Sequence, residues 1–365
     1  MAWFLALAVG ITVLIATPAR AGVLRAGDIV ALTFEGVIVR IDPETGSQTV
    51  VASGGLLSDP HGLAVTPWGE ISVVQSGNTV VRVSPFTGEQ TLVTEGGLLS
   101  FAPDIAADAE GNLFLPSVTE CPDTFFGDVV RVDRATGAQS QVLGCPTAGP
   151  ELSLLSPLQI AFGPDGVVVL VLDFALNGSF GGIAAINTVS RAAGPLVFCA
   201  GHHIWPAGFA IAPDGTIVMT CLNTLTNEVE LLRFATDPAP DLRGVVPTTK
   251  PFSSALAFDQ RGRLIGTVFD PDGRNEIYRV DLRTRHETFL GSVPGRLVDI
   301  AVVPPICPCT GAKNHGSYVM CVADTTNAYL SEGLITRAER AALVLHAAQN
   351  LCERPETPGA RPPAD

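Results

Sequence analysis

Few residues in this chain have both a type and a spacing suited to chemistry. Asp104 and Asp299 each stand two residues before an alanine, in Asp104-Ile105-Ala106 and Asp299-Ile300-Ala301, and Gln159 holds the same place in Gln159-Ile160-Ala161. His61 precedes Gly62-Leu63-Ala64, and His202-His203 precede Gly208-Phe209-Ala210. Carboxylate and amide oxygens suit a hard divalent cation such as calcium, which makes Asp104 and Asp299 the candidate metal ligands. His61, Gln159, His202 and His203 complete the candidate ligand-binding set, since a histidine pair can bind a transition metal or act as a base. A wet polar channel without a specific ligand is the alternative. The stretch Asp270-Pro271-Asp272-Gly273-Arg274-Asn275-Glu276 falls short of a full calcium loop and reads as a hairpin turn. No Gly-x-Ser-x-Gly elbow is present, so no catalytic residue is assigned.

These positions belong to a repeat. A large apolar residue followed by Ala recurs at Leu63-Ala64, Ile105-Ala106, Ile160-Ala161, Phe209-Ala210, Leu256-Ala257 and Ile300-Ala301, with alanine spacings of 42, 55, 49, 47 and 44 residues. Such a period in a strand-rich chain predicts propeller blades of four strands each. Turns follow at Trp68-Gly69, Glu110-Gly111, Asp165-Gly166, Asp214-Gly215 and Arg261-Gly262. A second hairpin turn recurs at Asp42 to Gly46, Ser84 to Gly88 and Asp133 to Gly137. Arginine recurs before it, at Arg40, Arg82, Arg131, Arg233 and Arg279, on a face expected to meet solvent.

The N-terminus begins partway through a unit, and the unit around Ala301 lacks its outer strands. Joined, they make one blade with the C-terminal strand innermost, which closes the ring and leaves no open edge. The expectation is an all-β, six-bladed β-propeller over residues 22–305, closed by N- and C-terminal strands that share one blade.

The run Asp59-Pro60-His61-Gly62-Leu63-Ala64-Val65-Thr66-Pro67-Trp68-Gly69, with Val80-Val81-Arg82-Val83, resembles the NHL repeat and equally the blades of streptogramin lyase and gluconolactonase (senescence marker) propellers. Pro206 to Gly215 matches as well. The resemblance spans about residues 27 to 304 and implies the fold; blades of this kind serve unrelated functions. Gluconolactonase-type propellers hold a divalent metal with Glu, Asn and Asp. Here His61 stands where their Pro-Asn-Gly motif has Asn, and no Glu heads an innermost strand. Streptogramin lyases use His and Glu with a metal, and no carboxylate matches that spacing beside His202 and His203.

Beyond Pro304-Pro305 the pattern turns helical. Tyr318, Cys321, Val322, Thr325 and Tyr329 share one helical face, Glu332-Gly333 breaks it, and Thr336 with Glu339 opens a second helix reaching about Cys352. Residues 306–352 therefore read as a helical hairpin, and 353–365 as a disordered, Pro-rich tail. Cys307-Pro308-Cys309 followed by Asn314-His315-Gly316 is similar to a C-terminal module of secreted bacterial proteins of varied function.

All eight cysteines, Cys121, Cys145, Cys199, Cys221, Cys307, Cys309, Cys321 and Cys352, follow an apolar run at Ala2 to Ala16 and an Ala19-Arg20-Ala21 cleavage pattern. Residues 1–21 read as a signal peptide, with an uncleaved anchor as the alternative. The even cysteine count then reads as disulfides, with locality favouring Cys121–Cys145 and Cys199–Cys221 and the last four bridging the C-terminal segment; zinc binding with His315 or His346 is the alternative. A secreted or periplasmic monomer is expected, with cell-surface association as a variant and no membrane span after signal removal.

Net charge is -14 and lysine occurs only at Lys250 and Lys313, so nucleic acid is not an expected partner. Three functions fit: a noncatalytic module binding a protein, glycan or small ligand; a metal-dependent hydrolase or lyase; and a cell-surface structural module.

Overall fold

The computed structural model describes residues 23–349 apart from residues 122–123, 145–156, 164–165, 167, 174–181, 191–192, 199–203, 224–227, 236–240, 247–250, 270–274 and 308–311. Short apolar runs between Gly-containing turns give antiparallel strands throughout. The first three are β1 (Ile29–Thr33), β2 (Val37–Ile41) and β3 (Gln48–Ser53). A full sheet follows in β4 (Pro60–Val65), β5 (Ile71–Gln75), β6 (Thr79–Val83) and β7 (Gln90–Glu95). The next comprises β8 (Ala106–Ala107), β9 (Leu113–Cys121), β10 (Thr124–Val132) and β11 (Gln139–Gln141). Then come β12 (Pro157–Phe162), β13 (Val168–Asp173), β14 (Gly182–Asn187) and β15 (Ala193–Phe198). After them stand β16 (Ile204–Ile211), β17 (Ile217–Asn223), β18 (Glu228–Ala235) and β19 (Asp241–Val246). Last are β20 (Phe252–Phe258), β21 (Leu264–Phe269), β22 (Asn275–Asp281) and β23 (His286–Val293), with β24 (Leu297–Val302) beyond them.

β24 does not extend the preceding sheet. It pairs with β1, placing Ile300 opposite Ala31 and Val302 opposite Ile29, and the composite sheet runs β24-β1-β2-β3. The strands β4, β8, β12, β16, β20 and β24 each touch the next, and β24 touches β4, so the sheets close into a propeller-like ring. The repeated alanines lie on these inner strands. Ala64, Ala106 and Ala210 are buried, and a small side chain there lets neighbouring sheets converge.

The core lies between sheets rather than inside any one of them. Val30, Leu32 and Ile38 pack with Leu63, Ile71, Val73, Val81 and Val83 of the next sheet. On the other flank, Ile29, Val39 and Ile41 pack with Ile265, Ile277 and Leu290. Each sheet thus buries both faces against neighbours, which is why its strands read as near-continuous apolar runs.

Polar ties reinforce the outer rim. The Gln90 side-chain amide accepts from Leu56 N at 2.6 Å and donates to Gly54 O at 3.0 Å. Gln139 repeats this one sheet on, accepting from Leu98 N at 2.6 Å and donating to Gly96 O at 3.0 Å. Gly55 and Gly97 have φ of 65° and 67°, and a Cβ on either would lie 2.6 Å from the glutamine oxygen. Only glycine fits there.

The recurrent arginines correct one expectation, because they do not simply face solvent. Arg82 donates to Arg134 O at 2.6 Å, and Arg279 donates to Pro43 O at 3.0 Å, each in the hairpin turn of the neighbouring sheet. Arg40 pairs with the buried Asp28 at 2.7 Å. A guanidinium on a third strand reaches far enough to bind the next sheet, and that alternative outweighs hydration.

Helix α1 (His315–Ser331) starts at Asn314, whose side chain forms a capping box with Ser317, and it ends at Glu332 before Gly333 at φ 74°. Helix α2 (Arg337–Gln349) opens with a capping box: Thr336 N donates to the Glu339 carboxylate at 2.6 Å and Glu339 N donates to Thr336 Oγ1 at 3.2 Å. The two helices pack on each other. A disulfide joins Cys307, just beyond β24, to Cys321 in α1. Cys145, Cys199, Cys309 and Cys352 lie outside the described residues, as do the expected pairings that involve them. Among the described residues no helix is long and apolar enough to cross a membrane.

Candidate functional site

The ring has two ends. Pro60, Gln75, Thr79 and Glu95 lie together at the end where the inner strand β4 begins, here called the upper face, and Val65, Ile71, Val83 and Gln90 lie at the other. The residues singled out two positions before each alanine sit on or just ahead of the innermost strands, toward the upper face.

Their hydrogen bonds reveal a role. Asp299 on β24 accepts from Leu63 N of β4 at 2.9 Å and from Ile300 N at 2.8 Å. Asp104, ahead of β8, accepts from Ile160 N of β12 at 2.9 Å and from Ile105 N at 2.8 Å. Gln159 on β12 accepts from Phe209 N of β16 at 2.8 Å. Each of the three therefore fastens its inner strand to the backbone of the next. Where the repeat has Gly62, an added Cβ would stand 2.6 Å from Asp104 Oδ1 and 2.9 Å from Asp104 Cα. The missing side chain gives the aspartate its space.

The electrostatics follow from crowding. Asp104 is buried, and its carboxyl is pushed well up, first by loss of water and then by the negative charge of Asp299. Asp299 is largely buried, and loss of water pushes its carboxyl up to about 7 against the opposing pull of its two backbone donors. Two carboxyls in a site of low dielectric do not both ionise cheaply, so each raises the cost of ionising the other.

A metal site asks for more ligands, and among the described residues no group of three or more His, Cys, Asp and Glu is placed to hold an ion. His61 is half-buried on the upper face, where its Nε2 lies 3.2 Å from Ser76 Oγ. Ser76 also donates to the Asp59 carboxylate, while its backbone N donates to Asp59 O at 3.0 Å. Among the described residues no hydrogen bond joins His61 to Asp104 or Asp299. His202 and His203 lie outside the described residues, and so does most of the Asp270–Glu276 stretch, Asn275 and Glu276 excepted.

Sequence reading missed Asp59 and Ser76. Asp59 sits at φ 51°, five residues before its repeat alanine, and Phe101 at φ 55° occupies the equivalent place. Asp and Phe share no chemistry at that offset, so the sequence carried no signal for it.

No family model and no curated protein matches this chain. Solved structures do. A candidate 6-phosphogluconolactonase from Bacteroides fragilis is 12% identical with a TM-score of 0.50, covering 75% of this chain and 96% of its own. A candidate 6-phosphogluconolactonase from Bacteroides uniformis is 14% identical with a TM-score of 0.51, covering 76% and 99%. A protein of unknown function from Bacteroides caccae is 12% identical with a TM-score of 0.51, covering 76% and 98%. At these identities the likeness is one of fold, and it agrees with the propeller-like ring.

Proposed function

We propose that this chain is an exported six-bladed propeller that acts as a noncatalytic binding module and meets a protein, glycan or small ligand with its upper face. The observation that carries this reading is the commitment of the throat: the oxygens of Asp104, Asp299 and Gln159 already hold backbone N–H groups of neighbouring strands. Four large apolar side chains on upper-face loops remain exposed, Phe34 at 44%, Leu56 at 46%, Leu98 at 40% and Phe101 at 52%. Exposed apolar groups on the same face as the polar trio Asp59, His61 and Ser76 are typical of a surface that binds. The N-terminal apolar run and the Cys307–Cys321 bridge support an oxidising compartment outside the cytoplasm.

Metal analysis of the purified protein, with a screen of lactone and ester hydrolysis, tests this reading. The expected result is no stoichiometric divalent cation and no turnover. A bound cation lost together with turnover in Asp104→Asn or Asp299→Asn would overturn it.

A second reading, a metal-dependent hydrolase or lyase of the gluconolactonase or streptogramin lyase type, draws on one observation. Burial pushes the carboxyls of Asp104 and Asp299 above the usual range, that of Asp299 to about 7, toward the range in which a general acid or base works.

A further inference from the structure

Exposed apolar side chains of the upper face belong to loops that are tied to one another. The turn carrying Phe34 leans on the next connection, since a Cβ at Gly36 would lie 2.8 Å from Leu57 O. That connection carries Leu56 and is strapped to β5 by Gln75, whose side chain donates to Leu56 O at 2.9 Å and accepts from Ser58 N at 3.0 Å. Ser76 follows Gln75 in the β5–β6 turn. The same turn meets the connection after β7, where Gly96 N donates to Asn78 O at 3.0 Å, two residues before Leu98. An unbroken series of contacts therefore runs from Phe34 through Leu56 and Ser76 to Leu98.

The charges set into this strip are mostly of one sign. Glu35 follows Phe34, Asp59 stands three residues after Leu56, and the exposed Glu95 stands three before Leu98. Against them, among the described residues of the strip, is the guanidinium of Arg296, which is already engaged 5.4 Å from the centroid of the Phe34 ring. The trio at the centre adds acceptors. Ser76 gives its only proton to the Asp59 carboxylate, so its oxygen accepts from His61 Nε2 at 3.2 Å, and the ring's other nitrogen, Nδ1, keeps a lone pair to offer. The second Asp59 oxygen accepts no hydrogen bond among the described residues.

A complement to this strip must bring hydrogen-bond donors, positive charge and apolar area together. A basic, apolar stretch of polypeptide carries all three. A neutral sugar lacks the charge, and a nucleic acid or lipid phosphate has the wrong sign. We propose that the partner of the upper face is a protein segment combining Lys or Arg with large apolar side chains, laid along the strip from Phe34 to Leu98; this rests on the reading of that face as a binding surface.

Fluorescence anisotropy of a dye-labelled peptide alternating Lys and Leu, titrated with the full chain, tests the proposal beside labelled Glu-Leu peptide, oligolysine and cellohexaose. Saturable binding of the Lys-Leu peptide is expected, weakened roughly fivefold by Leu56→Gln and by Asp59→Asn, with a smaller salt dependence only in the second. Asparagine tolerates the left-handed backbone at position 59, φ 51°, and Leu56 is exposed, so both variants keep the fold. Glu110→Gln removes one charge from an exposed turn at the opposite end of the ring and should bind as the parent does. The proposal is overturned if the Lys-Leu peptide does not saturate, or if the Glu-Leu peptide or oligolysine binds as well. It is also overturned if Glu110→Gln weakens binding as much as Asp59→Asn, which would mean attraction to net charge alone. Saturable binding of cellohexaose in place of the peptide would overturn the basic partner and keep the binding reading, whereas a bound cation with turnover would remove that reading itself.

Discussion

Asp299 on the closing strand accepts a hydrogen bond from the backbone N–H of Leu63, 2.9 Å away and 236 residues earlier in the chain. The contact joins the last inner strand to the first complete sheet, one step beyond the β24–β1 pairing. It places a buried carboxyl, pushed above the usual range, at the ring's point of closure. Asp104 repeats the arrangement with Ile160, and its own ionisation opposes that of Asp299.

Stability should therefore fall as pH rises through neutrality. Both aspartates have folded-state pKa values above the ordinary 3.8, so the folded state binds more protons than the unfolded chain. The contribution is complete below 3.8 and is lost as pH passes the folded value, about 7 for Asp299. Ionising Asp299 therefore weakens the fold, and part of the loss falls between pH 5 and pH 8. Thermal unfolding at pH 5 and pH 8 should show this loss in the parent and a smaller one in Asp299→Asn. Identical losses would remove Asp299 as the cause.

The rim ties give a second expectation. Gly97→Ala forces a side chain into a left-handed backbone conformation and against the Gln139 amide, at about 1–3 kcal/mol. Pairing it with Gln139→Ala relieves the clash but not the backbone strain, so the double variant should lose less than the sum of the singles. Denaturant midpoints in a double-mutant cycle read this directly; strict additivity would contradict the contact.

Docking of the helices depends on Trp68 more than on charge. Tyr329→Ala removes the ring packed against Trp68 and should raise proteolytic cleavage within α1 and α2 while the strands stay protected. Glu332→Ala breaks an exposed ion pair with Arg134 at 2.8 Å and should change stability by less than about 1 kcal/mol. The reverse ranking would mean that charge, not aromatic packing, seats the helices.

The Cys307–Cys321 bridge closes a loop with a sequence separation of 14. Removing it as Cys307→Ala with Cys321→Ser should cost about 3 kcal/mol, the chain-entropy estimate for a loop of this length. Hydrogen exchange should place the loss in α1, with amides of β4 to β6 unchanged. Faster exchange throughout the ring would show that the bridge supports the whole fold.

What the sequence determined by itself is whatever its local periods encode. The alanine spacing marks the inner strands, the Gly turns mark the hairpins, and Gly333 and Thr336 with Glu339 mark the end of α1 and the start of α2. The incomplete units at the two termini even indicated that β24 would pair with β1, because each lacked the strands the other had. The partners of the polar side chains were not readable. Asp299 with Leu63, Asp104 with Ile160 and Arg279 with Pro43 join residues far apart in the chain, and nothing in a strand's own alternation says which neighbour its face will meet. Only the tertiary structure decided that the throat residues clamp adjacent strands and that Trp68 anchors the helices. Those contacts exist only once the ring has closed and brought distant backbone groups within hydrogen-bonding distance.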